Sequence, residues 1–312
     1  MSDIIYSIII PVYNEEKNLK ELHDRLIAVL ERLDVKFEII FIDDGSFDES
    51  LSVLKRLQQN DSRVKIIKLM RNFGQHPAMM AGFRNALGEI IVTMDADLQH
   101  PPEEIPKFVE KMSHGYDIVC GKRTERSDSF MRKIASKITN KLISRFIGIS
   151  VTDIGCNLRM YRRKIVDHVK RFNEKSYYIN VLTSWLGKKV VEIEINSEIR
   201  RCDDSRYNLF SLLMLFFDII TGFSTVPLRA ISFIGIIMSM FGSFLGITLI
   251  VVRYAFKNYI TDLSVLIAIL LILFGVQLFG LGIAGEYIGR IYKEAKNRPD
   301  YIIDEIIQKK EL

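Results

Sequence analysis

Short apolar runs rich in β-branched residues alternate with amphipathic stretches along the first part of the chain. The apolar runs at 6–11, 37–42, 65–69, 90–94 and 117–120 predict buried strands. Between them apolar residues recur at helical spacing, as at Leu19, Leu22 and Leu26 after the first run. Regular alternation of strand and helix predicts an α/β fold with a mainly parallel sheet wound by helices.

Two long uncharged runs change the pattern in the second half. Residues 230–252 and 263–285 each form 23 residues without a formal charge. At 1.5 Å per residue, either run can cross about 30 Å of hydrocarbon as a helix. Because only a short loop separates them, we predict a two-helix transmembrane hairpin. Basic residues cluster outside the hairpin, so the positive-inside rule places both termini in the cytosol.

Amphipathic segments flank the predicted hairpin on both sides. Apolar positions in 206–229 and again in 286–296 alternate with polar and basic ones, which is typical of helices at a membrane interface. The sequence therefore predicts four regions: a cytosolic α/β domain at 1–205, an interfacial helix at 206–229, the hairpin at 230–285, and a second interfacial helix with a cytosolic tail at 286–312.

Composition narrows the choice of partners. The net charge is +5 and the hydrophobic fraction is 48%, with the apolar surplus in the second half. Together these favour a membrane surface and phosphate ligands over nucleic acid. The three cysteines are widely spaced and lie outside any Cys-x-x-Cys, so neither a disulfide framework nor a zinc site is indicated.

Two carboxylates follow the fourth predicted strand. Asp95 and Asp97 come directly after the run 90–94, and Gln99 adds an amide oxygen two residues later. An isolated Asp-x-Asp is more often a solvated turn, but the carboxyl end of a buried strand is where open α/β sheets bind ligands. Oxygen ligands suit a hard cation, so we predict a Mg²⁺ or Mn²⁺ site at Asp95, Asp97 and Gln99.

Acidic residues also follow the first and second strands. Glu15 comes just after the first, and Asp43 and Asp44 end the second. Three such ends at one edge of a sheet predict a crevice that suits a cation-bridged diphosphate and the donor groups of a base or ribose. The glycine patterns of dinucleotide-binding and P-loop proteins do not follow any strand.

Three motifs in this order resemble family-2 glycosyltransferases with a GT-A fold, which use nucleotide-sugar donors. They are Pro11-Val12-Tyr13-Asn14-Glu15, Ile42-Asp43-Asp44-Gly45-Ser46 and Asp95-Ala96-Asp97. The resemblance implies that Glu15 and Asp43 contact the base, that Asp95 lies at the ribose and metal, and that Asp97 with Gln99 binds the metal. It also assigns Pro11, Tyr13 and Asp44 to the donor pocket.

Basic residues after the fifth strand are candidates for the donor diphosphate. We expect Arg123 or Arg126 to face the crevice, although either could equally lie on a solvated basic surface. The following segment, which contains Asp153 and Arg159, resembles the acceptor side of polyprenyl-phosphate glycosyltransferases. By that resemblance Asp153 lies beside the reacting centre and Arg159 stabilises the segment or contacts phosphate. A structural role for Asp153, capping the turn at Gly155, stays open.

The segment just before the membrane-directed sequence resembles the lipid-phosphate motif of the same family. Arg200 and Arg206 stand at its basic positions, whereas Asp203 and Asp204 replace an expected Gly and Glu. The resemblance implies an inverting transfer of a sugar to polyprenyl (undecaprenyl) phosphate at the inner membrane, assisted by a divalent metal. Members of this family often form tetramers.

The donor sugar is less firmly indicated. The chain most resembles the subgroup whose sugar is a formamido-arabinose used in lipid A modification, but Asn157 and residues 202–204 depart from it. A hexose or N-acetylhexosamine donor therefore stays open. A processive polysaccharide synthase would carry a Gln-x-x-Arg-Trp motif. This chain lacks that motif, because its single tryptophan, Trp185, follows Thr183 and Ser184. A non-catalytic membrane scaffold is the remaining alternative.

Overall fold

The computed structural model describes residues 6–124, 151–172, 178–196, 262–296 and 298–309, with single positions between 231 and 251. The chain divides into two compact units. One comprises Met1–Phe216 with Pro299–Leu312, and the other is Phe217–Arg298. Residues from the end of the chain thus belong to the same unit as its first two thirds.

The first unit is built on one sheet, whose described strands run in the order β7-β5-β6-β4-β1-β2-β3-β8. The strands are β1 (Tyr6–Val12), β2 (Phe37–Asp43), β3 (Val64–Leu69), β4 (Ile90–Thr93), β5 (Ile118–Arg123), β6 (Arg159–Arg162), β7 (Val190–Ile195) and β8 (Ile303–Ile307). Strand β6 is antiparallel to its neighbours β4 and β5, and β8 is antiparallel to β3. The other neighbouring strands pair in parallel.

Helices connect the strands of this unit. They are α1 (Leu19–Arg32), α2 (Ser50–Asn60), α3 (Gln75–Asn85), α4 (Ile105–Ser113), α5 (Arg163–Val169) and α6 (Ile179–Leu186), with a 3₁₀ turn at Pro102–Glu104. The α/β fold with a mostly parallel sheet is the one that the sequence predicts. The five predicted strands match β1 to β5 with ends that differ by a few residues.

The buried centre of the sheet explains why these strands form. All seven residues of β2 are buried, and Ile8, Ile9 and Ile10 of β1 have no exposed surface. Strands covered by helices on both faces read as continuous apolar runs. Because β1 pairs in parallel with both β2 and β4, the carboxyl ends of these three strands lie side by side. This places the acids that follow them at one edge.

The sequence did not predict β6, β7 or β8. The last of these lies near the end of the chain and pairs antiparallel with β3, where Lys68 donates to Asp304 at 2.6 Å. Strand β8 covers the edge of β3, which would otherwise offer unpaired backbone groups to another chain. The predicted cytosolic tail is therefore partly a strand of the main sheet.

The described residues of the second unit are helical as far as Ala295. Helix α7 spans Asp262–Ala295, 34 residues, and runs without a break from the predicted membrane segment 263–285 into the predicted interfacial helix that begins at 286. The division between these two segments stays a prediction. No proline interrupts 262–295, and Pro299 follows only after the helix ends.

Two further predictions for this half of the chain concern membrane segments. Within the described positions, no helix is both long and apolar enough to cross a membrane. The predicted hairpin stays a prediction, and the interfacial helix at 206–229 lies outside the described residues.

Candidate functional site

The loops after β1 and β2 are joined by a set of hydrogen bonds. The backbone N–H of Asn14 donates to Ser46 Oγ at 3.1 Å, and the N–H of Phe47 donates to Asn14 Oδ1 at 3.0 Å. The N–H of Glu15 donates to Ser50 Oγ at 2.9 Å. Asn14 has φ 58°, a left-handed conformation that asparagine tolerates better than most residues. The two loops therefore form one preorganised wall at this edge of the sheet.

The predicted donor residues of the first strand lie along this wall. Pro11 lies within β1, and Tyr13 stands in the loop with its ring edge-to-face on Phe47, 5.9 Å between centroids. Phe47 is 82% exposed, so the pair presents aromatic surface to solvent. Glu15 accepts a hydrogen bond from Asn18 Nδ2 at 2.7 Å, and this contact holds its carboxylate at the start of α1.

Asp43 and Asp44 are both buried at the end of β2. Asp43 Oδ1 accepts the N–H of Ser46 at 3.1 Å, whereas its buried Oδ2 has no hydrogen-bond partner among the described residues. Burial raises the pKa of the Asp43 carboxyl, against the hydrogen bonds from Ser46 and the charge of Lys68. A buried acceptor without a partner is costly, and a ligand donor would relieve that cost.

Asp44 instead shapes the loop before α3. Its two oxygens accept the N–H groups of Phe73 at 2.8 Å and Gly74 at 2.9 Å. Burial raises the pKa of this carboxyl too, while the two hydrogen bonds act in the opposite direction. Gly45 has φ 69°, and a Cβ there would lie 2.5 Å from the Arg71 carbonyl carbon, so only glycine fits. Asp44 therefore serves loop geometry in this structure.

Asp95 lies at the end of β4 with its side chain 22% exposed. Gln75 Nε2 donates to Asp95 Oδ1 at 2.6 Å, and Asn157 Nδ2 lies 3.1 Å from both carboxylate oxygens. The ring of His100 lies beneath, with Nδ1 4.0 Å from Asp95 Oδ2. The carboxylate is thus held by amide groups while part of it faces solvent.

Asp97 sits on an unusual turn. Its Oδ1 accepts the N–H of Gln99 at 3.0 Å, which is the contact of an Asx turn. Between them, Leu98 is buried and has φ 60°. A non-glycine residue held there costs on the order of 1–3 kcal/mol, and such outliers cluster at functional sites. The turn leaves both Asp97 and Gln99 partly exposed at the sheet edge.

This donor set fits a divalent cation that is shared with a ligand. In the described part of the chain, no three His, Cys, Asp or Glu side chains come together to hold a metal on their own. Mg²⁺ sites commonly use one or two carboxylates and take further ligands from substrate phosphates and water. Two partly exposed aspartates at the end of β4 match that kind of site.

Arg123 and Asp153 form a closely matched ion pair at the end of β5. Arg123 Nε donates to Asp153 Oδ2 and Nη2 to Oδ1, both at 2.9 Å, and the Arg123 N–H adds a contact at 3.2 Å. Burial acts to lower the pKa of Arg123, but the hydrogen bonds and charge of Asp153 outweigh it and raise that pKa. The guanidinium is therefore a fixed cation.

Asp153 is itself held from several directions. It is 3% exposed, and its backbone N–H donates to Glu192 Oε1 at 2.9 Å. Both oxygens of its side chain accept hydrogen bonds from the Arg123 guanidinium. The structure therefore places Asp153 as the anchor of Arg123.

The predicted contact of Arg159 with phosphate requires a correction. It has no exposed surface, and it donates to the carbonyl oxygens of Asp153, Ile154, Cys156 and Asn180 and to Ser184 Oγ. A guanidinium enclosed in this way cannot reach a lipid phosphate, so that predicted contact is wrong for Arg159. The alternative expectation, stabilisation of the 153–157 segment, matches the contacts observed.

The remaining predicted phosphate contacts lie outside the described residues: Arg126, Arg200 and Arg206. Conversely, the structure brings together residues for which the sequence predicts no role: Gln75, His100, Asn157 and Asn180. The one sequence signal at Asn157 is its departure from the subgroup pattern. Asn180 carried no signal, because its contact with Asn157 depends on tertiary packing.

The family model described as "Glycosyl transferase family 2" matches residues 7–170 of the chain. That range contains the three acid-bearing strand ends and the Arg123–Asp153 pair. The chain belongs to glycosyl transferase family 2, as its motifs predict.

Curated relatives carry one name over nearly the whole chain, undecaprenyl-phosphate 4-deoxy-4-formamido-L-arabinose transferase. The protein from Proteus mirabilis (strain HI4320) is 41% identical over 304 residues, 96% of this chain and 93% of the relative. That from Klebsiella pneumoniae (strain 342) is 42% identical over 308 residues, 98% of this chain and 94% of the relative. The predicted resemblance to this subgroup is confirmed.

Solved structures are similar in fold at low sequence identity. Mannosyl-3-phosphoglycerate synthase from Rubrobacter xylanophilus has a TM-score of 0.51 at 14% identity, over 70% of this chain and 72% of that chain. Glucosyl-3-phosphoglycerate synthase from Mycobacterium tuberculosis, in complex with Mn²⁺, uridine-diphosphate and phosphoglyceric acid, has a TM-score of 0.50 at 16% identity, over 70% and 77%. These likenesses show the GT-A-like fold.

Proposed function

We propose that the protein transfers one sugar, with inversion, from a nucleotide-sugar donor to undecaprenyl phosphate. The observation that carries the proposal is the convergence of Asp43, Asp95 and Asp97 at one sheet edge in a chain of this family. Relatives that are 41–43% identical over more than nine tenths of the chain are named as transferases to this lipid phosphate.

The donor nucleotide is proposed to occupy the wall formed by the first two loops. The buried Oδ2 of Asp43, which has no partner in the described part of the chain, suits a ring N–H of the base. Tyr13 and Phe47 offer exposed aromatic surface beside it, on which a base can stack. Pro11 and Glu15 belong to the same wall, and Asp44 shapes its floor through the loop before α3.

Asp95, Asp97 and Gln99 are proposed to hold a divalent cation, Mg²⁺ or Mn²⁺, together with the donor diphosphate. When bound, such a cation neutralises charge on the departing diphosphate. The chain's own part is to orient two carboxylates and to keep them partly exposed. Structures of a protein with a similar fold contain Mn²⁺ with uridine-diphosphate or uridine-diphosphate-glucose, which supports this assignment.

Arg123 is proposed to stabilise the diphosphate as it leaves. Its guanidinium is fixed by Asp153 before any ligand arrives, so little reorganisation is needed during the reaction. Arg126 is proposed to assist. Because a lipid monophosphate has a second pKa of about 6, it is mostly dianionic at neutral pH and can attack without a strong base. This agrees with a positioning role for Asp153.

The acceptor is proposed to reach the site from a membrane. Arg200 and Arg206 are assigned to its phosphate, and the uncharged runs 230–252 and 263–285 are assigned to a hairpin in the bilayer with both termini cytosolic. The second unit exposes many large apolar side chains, as expected of a lipid-facing surface. Examples are Phe233, Phe241, Phe244, Leu278, Phe279 and Leu281.

The sugar is proposed to be 4-deoxy-4-formamido-L-arabinose, after the curated relatives. The test is a donor screen with purified full-length protein, undecaprenyl phosphate and Mn²⁺, in which lipid products are identified by mass. UDP-linked formamido-arabinose, hexoses and N-acetylhexosamines form the arms. A formamido-arabinose product supports the assignment, a hexose product would change the sugar alone, and no lipid-linked product from any donor would overturn the function.

A further inference from the structure

The carboxylate of Asp95 is held by side-chain amides from two separate elements. Gln75, at the start of α3, donates through Nε2 to Oδ1 at 2.6 Å. Asn157, just before β6, places Nδ2 at 3.1 Å from both oxygens. Hydrogen bonds to an ionised acceptor are stronger than those between neutral groups.

A third amide fixes the orientation of the second. Asn180 Nδ2 donates to Asn157 Oδ1 at 2.7 Å and also lies 3.1 Å from the carbonyl oxygen of Ile154. Because an ionised carboxylate only accepts, Asn157 must turn its N–H₂ toward Asp95 and its oxygen toward Asn180. The network therefore sets one orientation of the Asn157 amide, directed from α6 to the sheet edge.

The backbone of Asn157 is fixed as well. Thr93 Oγ1, on β4, donates to the Asn157 carbonyl oxygen at 2.8 Å. Asn180 is 1% exposed, so the support behind Asn157 is buried, whereas Asp95 keeps 22% of its side chain exposed. Water alone could satisfy the hydrogen-bonding capacity of a part-exposed carboxylate. The buried amides therefore do more than solvate Asp95, because they also fix the orientation of its carboxylate.

We infer that Asn157 is a positioning residue that, backed by Asn180, aims the Asp95 carboxylate at the ribose and metal–diphosphate part of the donor. The inference rests on the proposed function and adds to it a residue outside the acidic motif. Asn157 acts through Asp95. Substitution of Asn157 should therefore weaken donor binding only where Asp95 is present to be oriented.

The test is calorimetric titration of the full-length protein with UDP in the presence of Mn²⁺. Asn157→Asp keeps the size of the side chain and its contact with Asn180, but it replaces the N–H₂ donor with a second carboxylate beside Asp95. We expect UDP affinity to fall by about tenfold or more, since at least one charge-assisted hydrogen bond is lost. Asn60→Asp, at the exposed end of α2, makes the same chemical change as a matched control and should bind UDP as wild type does.

The same substitution is then made in an Asp95→Asn background. There Asn157→Asp should change UDP affinity by less than about twofold, because the carboxylate that Asn157 orients is gone. A purely structural role for Asn157 would give the same loss in both backgrounds. Gln75→Ala, at an exposed position on the same carboxylate, provides a second variant, with an expected loss of about three- to tenfold.

Three results would overturn the inference alone. The first is wild-type UDP affinity in Asn157→Asp, and the second is an equal loss of affinity in the Asp95→Asn background. The third is an Asn157→Asp protein that is unfolded at the titration temperature, together with wild-type UDP affinity in Gln75→Ala. Wild-type protein that binds no UDP with Mn²⁺ would instead overturn the proposed function, and the inference with it.

Discussion

The Arg123–Asp153 pair offers a sharp test of how the site is held together. Its side chains are 23% and 4% exposed and meet through two 2.9 Å hydrogen bonds. Removing one partner of a fully buried pair costs about 3–5 kcal/mol, because the other charge is left without compensation. Water reaches part of Arg123, so we reduce the expected cost of Asp153→Asn to about 2–3 kcal/mol.

This cost can be measured by thermal unfolding of the full-length protein. In a domain of this size each kcal/mol lowers Tm by about 2–4 °C, so Asp153→Asn should lower it by about 4–12 °C. Arg123→Met should have a similar effect, and the double variant should lose less than the sum of the two, because neither charge is then left alone.

A neighbouring ion pair, between Lys122 of β5 and Glu194 of β7, provides the control. Lys122 and Glu194 are 3.5 Å apart and 45% and 69% exposed, and exposed pairs contribute only about 0–1 kcal/mol. Lys122→Met should therefore leave Tm nearly unchanged. If Asp153→Asn melts like Lys122→Met, or if the double variant shows the full sum of the two losses, the pair does not organise the site.

Three further predictions address other parts of the molecule. Arg159→Met should destabilise the protein by about 3–5 kcal/mol, seen as a lower Tm, yet leave the KM for undecaprenyl phosphate unchanged; a raised KM with normal Tm would restore the phosphate contact. Burial lowers the pKa of His76 from 6.5 to about 4, so the unfolded chain binds a proton between these values that the folded chain does not. Stability present above pH 6.5 is thus lost on acidification, and His76→Phe should recover on the order of 1–2 kcal/mol of that loss at pH 5 in Tm measurements at pH 5 and 7. Parallel acid losses in both proteins would contradict this. Truncation after residue 298 removes β8 and exposes the edge of β3, so light scattering should show aggregation, and a truncated chain that stays monodisperse with wild-type Tm would refute the role of β8.

The parallel core could be predicted because its signal is local. In β2 every residue is buried, so the strand reads as an apolar run bounded by polar residues, and β1 and β4 show the same pattern. Once the strands are assigned as parallel, their carboxyl ends must meet, which brings Asp43, Asp44 and Asp95 to one edge without further information.

The antiparallel strands could not be predicted in the same way. Strand β6 begins and ends with arginine, and the buried Arg159 looks like a surface residue until its five oxygen acceptors are known. Strand β8 is short and carries two acids, and its partner β3 lies more than 230 residues earlier, as the 236-residue separation of Lys68 and Asp304 shows. Neither strand has a local pattern that separates it from a loop.

The amide network around Asp95 depends on packing alone. Asn157 meets Asp95 across 62 residues and Asn180 across 23, and no spacing rule links these positions. The sequence therefore predicted which acids lie at this edge of the sheet, but it did not predict the neutral side chains that contact Asp95 there. The bidentate contact between Asp153 and Arg123 likewise joins residues that no spacing rule links.

The most direct test of the central claim compares wild type with Asp97→Asn for transfer of formamido-arabinose from its UDP donor to undecaprenyl phosphate. Full-length protein is assayed with Mn²⁺, lipid-linked product is quantified by mass, and Tm is recorded for both proteins. We predict a product with wild type that is lost on chelation of the metal, and at least a hundredfold lower turnover in Asp97→Asn at unchanged Tm. Near-normal turnover in Asp97→Asn, or a wild-type reaction indifferent to chelation, would contradict the account.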